Sequence, residues 1–192
     1  MWRKPSEANS PKLAGNSNYE KQVPISRAIP LWGGVSEDGF SPILWHGSKK
    51  TNADEWAEAV NGGKLTDALR KLNPSRKNGP WVILCDGEGF LRAGRSKIAY
   101  GRRNISLWDL PAKSPDLNPI ENFWSWARQR LRTLDLADLR KKRKPLGKTA
   151  YKERLKSVLQ SKKAKSVARS CVRKFRDVCK AVVAKKGAAA GN

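Results

Sequence analysis

Histidine and acidic residues are scarce in this 192-residue chain, which has one histidine and 17 Asp and Glu residues against 40 Lys and Arg. The single histidine, His46, excludes metal clusters built on histidine and leaves carboxylates as ligands for a hard cation. The formal net charge of +23 is uneven, since residues 1–127 carry +5 and residues 128–192 carry +18. This excess favours a polyanion such as nucleic acid, because phosphate contacts release counterions.

The chain also has few cysteines and no long apolar run. Cys85 falls in a short apolar segment, Cys171 and Cys179 share one helical stripe, and no disulfide or zinc spacing is evident. No segment has the length of a membrane span or the pattern of a signal peptide. We therefore expect a soluble, intracellular protein with no membrane partner. Serine and cysteine nucleophiles lack a partnered base, which argues against acyl transfer.

The first half of the chain reads as a polar segment followed by alternating strands and helices. Residues 1–28 are rich in Pro, Ser, Asn and Lys and are predicted to be mostly loop. The Asp38-Gly39 step predicts a hairpin, and Gly33-Gly34 predicts a bulge or a close backbone approach within it. The further predicted elements are strands 29–35, 40–46 and 105–108, and helices 53–60 (capped by Asn52), 64–72 and 91–100.

A continuous apolar run, Trp81 to Asp86, predicts a strand buried on both faces, with Asp86 at its carboxyl edge. Ligand sites in open α/β sheets gather at that edge. Farther along, Asn118 is a candidate N-cap, with Pro119 at the first helical position and Glu121 in a capping box. The helix that follows has an inward apolar stripe and places Glu121 off it.

The last third of the chain is basic and helical. Residues 140–144 form an uninterrupted basic run, which is open to three interpretations: a nuclear localisation signal, a phosphate-binding strip or a solvated loop. Helices are predicted over 150–160 and 165–185. The second has an apolar stripe, which we expect to pack against another surface. We expect a nuclear protein whose candidate nucleic-acid contacts are Arg128, Arg132, Arg140, Lys141, Lys142, Arg143, Lys144, Arg169, Arg173 and Lys174.

Residues 110–124, LPAKSPDLNPIENFW, together with the 34 residues between Asp86 and Glu121, resemble the catalytic domain of the Tc1/mariner transposases. The resemblance implies a ribonuclease H-like α/β fold, with a mixed sheet flanked by helices, incomplete at its N-terminus and followed by a basic helical extension. The predicted division is a polar segment (1–28), a partial core (29–133) and a basic helical region (134–192).

The resemblance also implies a chemistry: three carboxylates hold two Mg²⁺ or Mn²⁺ ions that drive DNA cleavage and strand transfer. Asp86 and Glu121 match the second and third carboxylates. The first lies, in the family, shortly before a segment like Trp2-Arg3-Lys4-Pro5, and no aspartate precedes Asp38 here. The family's N-terminal DNA-binding region has no counterpart either. We therefore expect weak binding of one ion and no activity of the chain alone.

Three interpretations remain open at this stage. The chain is a piece of an active transposase that an upstream segment or another chain completes. Alternatively it is a non-catalytic domain that binds DNA or RNA. In the third interpretation, the chain is a structural component of a ribonucleoprotein or chromatin complex. A homodimer or larger assembly is compatible with all three.

Overall fold

The structure is a computed structural model that describes residues 29–45, 51–111, 114 and 117–186. The predictions made for residues 1–28 and for His46 lie outside these residues.

The first element is an antiparallel hairpin of β1 (Leu31–Ser36) and β2 (Gly39–Trp45). Ser36 pairs with Gly39, so Glu37 and Asp38 form a two-residue turn, and Gly39 has a φ of +132° that favours glycine. The register shifts between Trp32 and Gly33. A Cβ at Gly33 would lie 2.5 Å from the Phe40 ring, so only glycine fits at this shift. The predicted hairpin and bulge are confirmed.

Four helices form one layer: α1 (Ala53–Asn61), α2 (Lys64–Leu72), α3 (Gly89–Arg92) and α4 (Gly94–Gly101). The N-cap prediction for Asn52 is confirmed, because its side-chain oxygen accepts the backbone N–H of Glu55 at 2.8 Å. The single helix predicted over 91–100 is wrong. Ala93 has an extended ψ of 147°, which ends α3 and starts α4.

Strands β3 (Trp81–Cys85) and β4 (Ile105–Asp109) form a second, parallel pair in which Cys85 lies opposite Asp109. The prediction that β3 is buried on both faces is wrong. Helices α1 and α4 cover the face that carries Trp81 and Cys85. The opposite face is open, since Val82 is 60% exposed and Trp108 is 70% exposed.

Helices α5 (Pro119–Arg140), α6 (Lys148–Leu159) and α7 (Lys162–Ala184) form the other layer. They share a core with one face of the hairpin, where Phe123 is fully buried and stacks on Phe40 at 4.8 Å between ring centroids. The hairpin's other face, with Trp32 and Leu44, joins the core under α1 and α2. The hairpin therefore lies between two helical layers. The domain boundary at 133, which falls inside α5, stays a prediction.

Candidate active site

A cleft of about 670 Å³ separates the hairpin from the β3–β4 pair. Every residue of β1 and of β3 lines it, whereas β2 and β4 contribute only Ile43 and Leu107. Within the described part of the chain, β1 pairs only with β2 and β3 only with β4. The two strands that border the cleft therefore turn unpaired backbone edges toward it. The start of α5, two residues of α7 (Val172 and Phe175) and residues of α1 to α4 form the rest of its walls.

Asp86 lies at one end of this cleft, immediately after β3. The parallel ladder continues beneath it, because the Leu110 N–H donates to the Cys85 carbonyl at 2.8 Å. The Oδ1 atom of Asp86 is buried and has no hydrogen-bond partner among the described residues. Such an oxygen is costly unless something polar or cationic meets it.

Glu121 lines the same cleft from the first turn of α5. Asn118 is the N-cap residue and Pro119 occupies the first turn, as predicted, but the Asn118 side chain makes no capping hydrogen bond. The predicted capping box is therefore wrong. The Glu121 N–H, which the box would use, donates instead to the backbone carbonyl of Asn118 at 3.0 Å. The main chain of the turn thus fixes the position of Glu121.

A third carboxylate, Glu88, also lines the cleft and was missed by the sequence reasoning. Burial raises its pKa above the ordinary value, and the neighbouring Asp86 charge raises it further. Its position two residues after Asp86, between Gly87 and Gly89, is the signal that could have found it.

Cys85, which precedes Asp86, is not equipped to act as a thiolate. Burial raises its pKa to about 11, and the charges of Asp109 and Asp86 add to the shift. A thiol is therefore the form present at neutral pH, and it is a poor nucleophile and metal ligand. The oxygen donors of the cleft remain the chemically competent groups.

These donors suit an oxygen-preferring divalent ion but form an incomplete set. The buried, unpartnered Oδ1 of Asp86 is the kind of atom that such an ion satisfies. Within the described ranges, no three His, Cys, Asp or Glu side chains converge closely enough to hold a metal. Asp86 and Glu121 therefore fit part of a metal site, not a closed one.

The ten basic residues predicted to contact nucleic acid are all exposed. Seven lie on α5 from Arg128 onward and in the loop that follows it, and three lie on α7. Arg169 donates to the backbone carbonyl of Glu37 at 2.9 Å, and Arg173 pairs with the Glu37 carboxylate at 3.1 Å. Two groups of positive charge result, one around the α5–α6 loop and one over the hairpin turn.

The family model described as DDE superfamily endonuclease matches residues 44–142, more than half of the chain. The chain belongs to this family. The transposase of the transposable element Tcb1 from Caenorhabditis briggsae is 26% identical over 160 residues, which are 83% of this chain and 53% of the relative. The Tc3 transposase of Caenorhabditis elegans is 31% identical over 96 residues, 50% of this chain and 27% of the relative. The chain spans about half the length of the first relative and less of the second.

Solved structures of the Mos1 mariner transposase catalytic domain share the fold of this chain. One, with Raltegravir and Mn, has a TM-score of 0.58 at 16% identity and covers 89% of this chain and 88% of the other. A second, a crystal structure of the same catalytic domain, has a TM-score of 0.58 at 17% identity and covers 89% of this chain and 87% of the other. These likenesses confirm the predicted ribonuclease H-like α/β fold. The predicted resemblance to the Tc1/mariner transposases is supported by the family model and the relatives described above. None of the helices in the described residues is long and apolar enough to cross a membrane.

Proposed function

We propose that this domain binds nucleic acid, DNA in the first place, and holds one divalent ion weakly between Asp86 and Glu121, without cutting DNA as an isolated chain. The observation that carries the proposal is the cleft, because the two carboxylates approach it from β3 and from α5. The kinship with transposases supports DNA as the polymer.

An ion bound between these carboxylates would polarise a phosphodiester and activate the water that attacks it. Asp86 offers an oxygen that has no other described partner. The backbone of its turn holds Glu121 at the wall of the cleft, so its carboxylate can reach a ligand bound there. Two carboxylates supply about −2 against +4 for a metal pair, so a pair would lack a ligand and binding of one ion is favoured.

We further propose that the third carboxylate arrives on an extended strand, from upstream of residue 1, which fills the cleft. The free edges of β1 and β3 both face this space, so one strand could pair with both and join the two strand pairs into one sheet. Trp81, Val172 and Phe175 give the cleft apolar walls, which would suit the side chains of the added strand. Without that strand the site has two of its three acidic ligands.

Nucleic-acid binding is best tested by its dependence on salt. A labelled duplex should bind the chain with an affinity that falls steeply between low and high KCl, measured by fluorescence anisotropy. Replacing Lys141, Lys142 and Lys144 by Ala should lower the magnitude of the log–log salt slope by about 2.7, at about 0.9 per phosphate contact.

The matched control removes three exposed lysines from α2 and the loop that follows it, Lys64, Lys71 and Lys77. The overall charge change is the same, so only contacts at the α5–α6 loop distinguish the two variants. Equal slopes for both would contradict an interface at this loop. An affinity that is unchanged by salt would contradict nucleic-acid binding through the basic region altogether.

The catalytic part of the proposal is tested with a supercoiled plasmid and Mg²⁺ or Mn²⁺. The isolated chain should give no nicking above background. A version extended at its N-terminus by a strand that carries Asp should nick, and its Asp→Asn counterpart and Asp86→Asn should not. Robust nicking by the unextended chain that disappears in Asp86→Asn would show that the site is already complete.

A further inference from the structure

Arg92 stands beside the candidate metal site in an arrangement that the family resemblance does not explain. Its guanidinium lies against Gly87, the residue between the two cleft-lining carboxylates Asp86 and Glu88. A Cβ at Gly87 would lie 3.4 Å from Nη2, 3.7 Å from Nη1 and 3.8 Å from Cζ of Arg92. The guanidinium therefore lies close to the backbone step that joins these two acidic residues.

Asp109 holds Arg92 in this place with one oxygen. Oδ1 of Asp109 accepts from Nε at 3.3 Å and lies 3.1 Å from Nη2. Asp109 ends β4 directly opposite Cys85, so the anchor comes from the rigid strand pair that also carries Asp86. The two hydrogens of Nη1 have no partner within the part of the chain that the structure describes.

A purely stabilising role explains little of this arrangement. The side chains of Arg92 and Asp109 are 45% and 50% exposed, and exposed pairs of this kind contribute little to folding stability. An anchored guanidinium with free donors, by contrast, loses little side-chain freedom when it meets a second anion. Its fork geometry matches a phosphate.

We propose that Arg92 contacts a backbone phosphate of the nucleic acid beside the Asp86 carboxylate, and that Asp109 is the residue that positions it. This inference rests on the proposed function, because it presupposes that a nucleic-acid strand passes the cleft. The arginine would offset the negative charge that Asp86, Glu88 and Glu121 bring close to the phosphodiester.

The chain offers a matched control pair, Arg95 and Asp54. Arg95 lies on α4, three residues after Arg92, and pairs with Asp54 at the start of α1. Its side chain is 73% exposed and that of Asp54 is 61% exposed. None of these four side chains lines the cleft itself, but only Arg92 lies against Gly87, between the cleft-lining Asp86 and Glu88. The two pairs therefore have the same chemistry and differ in their distance from the site.

The decisive comparison uses the effect of removing an acid from a strongly basic protein. Simple charge counting predicts that Asp109→Ala and Asp54→Ala both bind DNA as tightly as the wild type or more tightly. If Asp109 positions Arg92, Asp109→Ala should bind more weakly although the protein has become more positive. We expect about threefold weaker binding for Asp109→Ala and about tenfold for Arg92→Ala, with a salt slope lower by about 1 for the latter.

The experiment measures duplex binding of the full chain by anisotropy over a KCl series, for the wild type and Arg92→Ala, Asp109→Ala, Arg95→Ala and Asp54→Ala. Circular dichroism melts verify that each variant folds. Arg95→Ala should change affinity by less than about twofold and leave the slope unchanged. The inference is overturned if Arg92→Ala matches Arg95→Ala, or if Asp109→Ala binds as tightly as Asp54→Ala. A wild-type chain that shows no salt-dependent binding would overturn the proposed function as well, so the two failures are distinguishable.

Discussion

Replacing Asp86 by Asn should stabilise the metal-free protein, because Oδ1 of Asp86 is buried without a described partner. An unpartnered buried polar atom costs about 1–3 kcal/mol, and the cost is higher for a charged group. Asparagine keeps the shape and removes the charge. Since Asn still carries an oxygen at this place, we take the lower end and expect a gain of about 1 kcal/mol. In a domain of this size that gain raises Tm by about 2–4 °C.

The same substitution should abolish the response to magnesium. If the wild type binds Mg²⁺ with a Kd of about 1 mM, about 10 mM Mg²⁺ stabilises it by about 1.4 kcal/mol. This stabilisation by Mg²⁺ equals or exceeds the extra stability that Asp86→Asn has over the wild type without metal. The order of stability between the two proteins should therefore be lost or reversed when the ion is added.

The assay is thermal unfolding followed by circular dichroism, in EDTA and in a MgCl₂ series. Asp67→Asn is the control, because it changes the net charge equally but removes a side chain that is 65% exposed and paired with Arg70 on α2. The reasoning would be refuted if Asp86→Asn were destabilised in EDTA, or if Mg²⁺ raised its Tm as much as that of the wild type. The first result would mean that Oδ1 is satisfied by something other than an ion, and the second that Mg²⁺ binds without Asp86.

Three further predictions concern the parts that hold the site in place. Phe123→Ala should lower the free energy of unfolding by about 3–5 kcal/mol in urea titrations, because the ring is fully buried between the hairpin and α5. Arg154→Ala should destabilise at neutral pH. Since Arg154 holds the pKa of Asp138 below its usual range, that loss should shrink in urea titrations as pH falls through the folded pKa of Asp138. Burial raises the pKa of Tyr100 to about 12, and Trp56 donates a hydrogen bond to its hydroxyl at 2.5 Å. The free energy of unfolding should therefore fall as pH rises from about 10 to about 12, because Tyr100 ionises more readily in the unfolded chain. An ultraviolet titration of the folded protein should show Tyr100 ionising late.

Features that depend on local chemistry could be predicted from the sequence. The two-residue turn before Gly39 and the cap by Asn52 follow from side chains and glycine conformations that act within a few residues. The capping box failed although its residues are in place. The Asn118 carbonyl competes with the Asn118 side chain for the Glu121 N–H, and a sequence pattern cannot say which of the two acceptors wins.

Features that depend on what covers an element could not be predicted in the same way. Trp81 to Cys85 is apolar throughout, which is typical of a strand buried on both faces. In the fold, α5, α6 and α7 cover the hairpin and leave Val82 and Trp108 open. Glu88 was missed for a related reason, since its place in the cleft depends on how the chain leaves β3 and enters α3.

The position of the cleft links the stability of this domain to its chemistry. Asp86 follows Cys85, which belongs to the core built on α1, α4 and the β3–β4 pair, whereas Glu121 lies two residues before Phe123, which belongs to the core built on α5 to α7. The hairpin packs into both cores, and the free edges of β1 and β3 face each other across the space between them. A strand in that space would fix the distance between these two carboxylates and would also add a third carboxylate. Without it, relative movement of the two cores changes that distance directly, and this is a physical reason to expect weak metal binding even though each carboxylate is well placed on its own element.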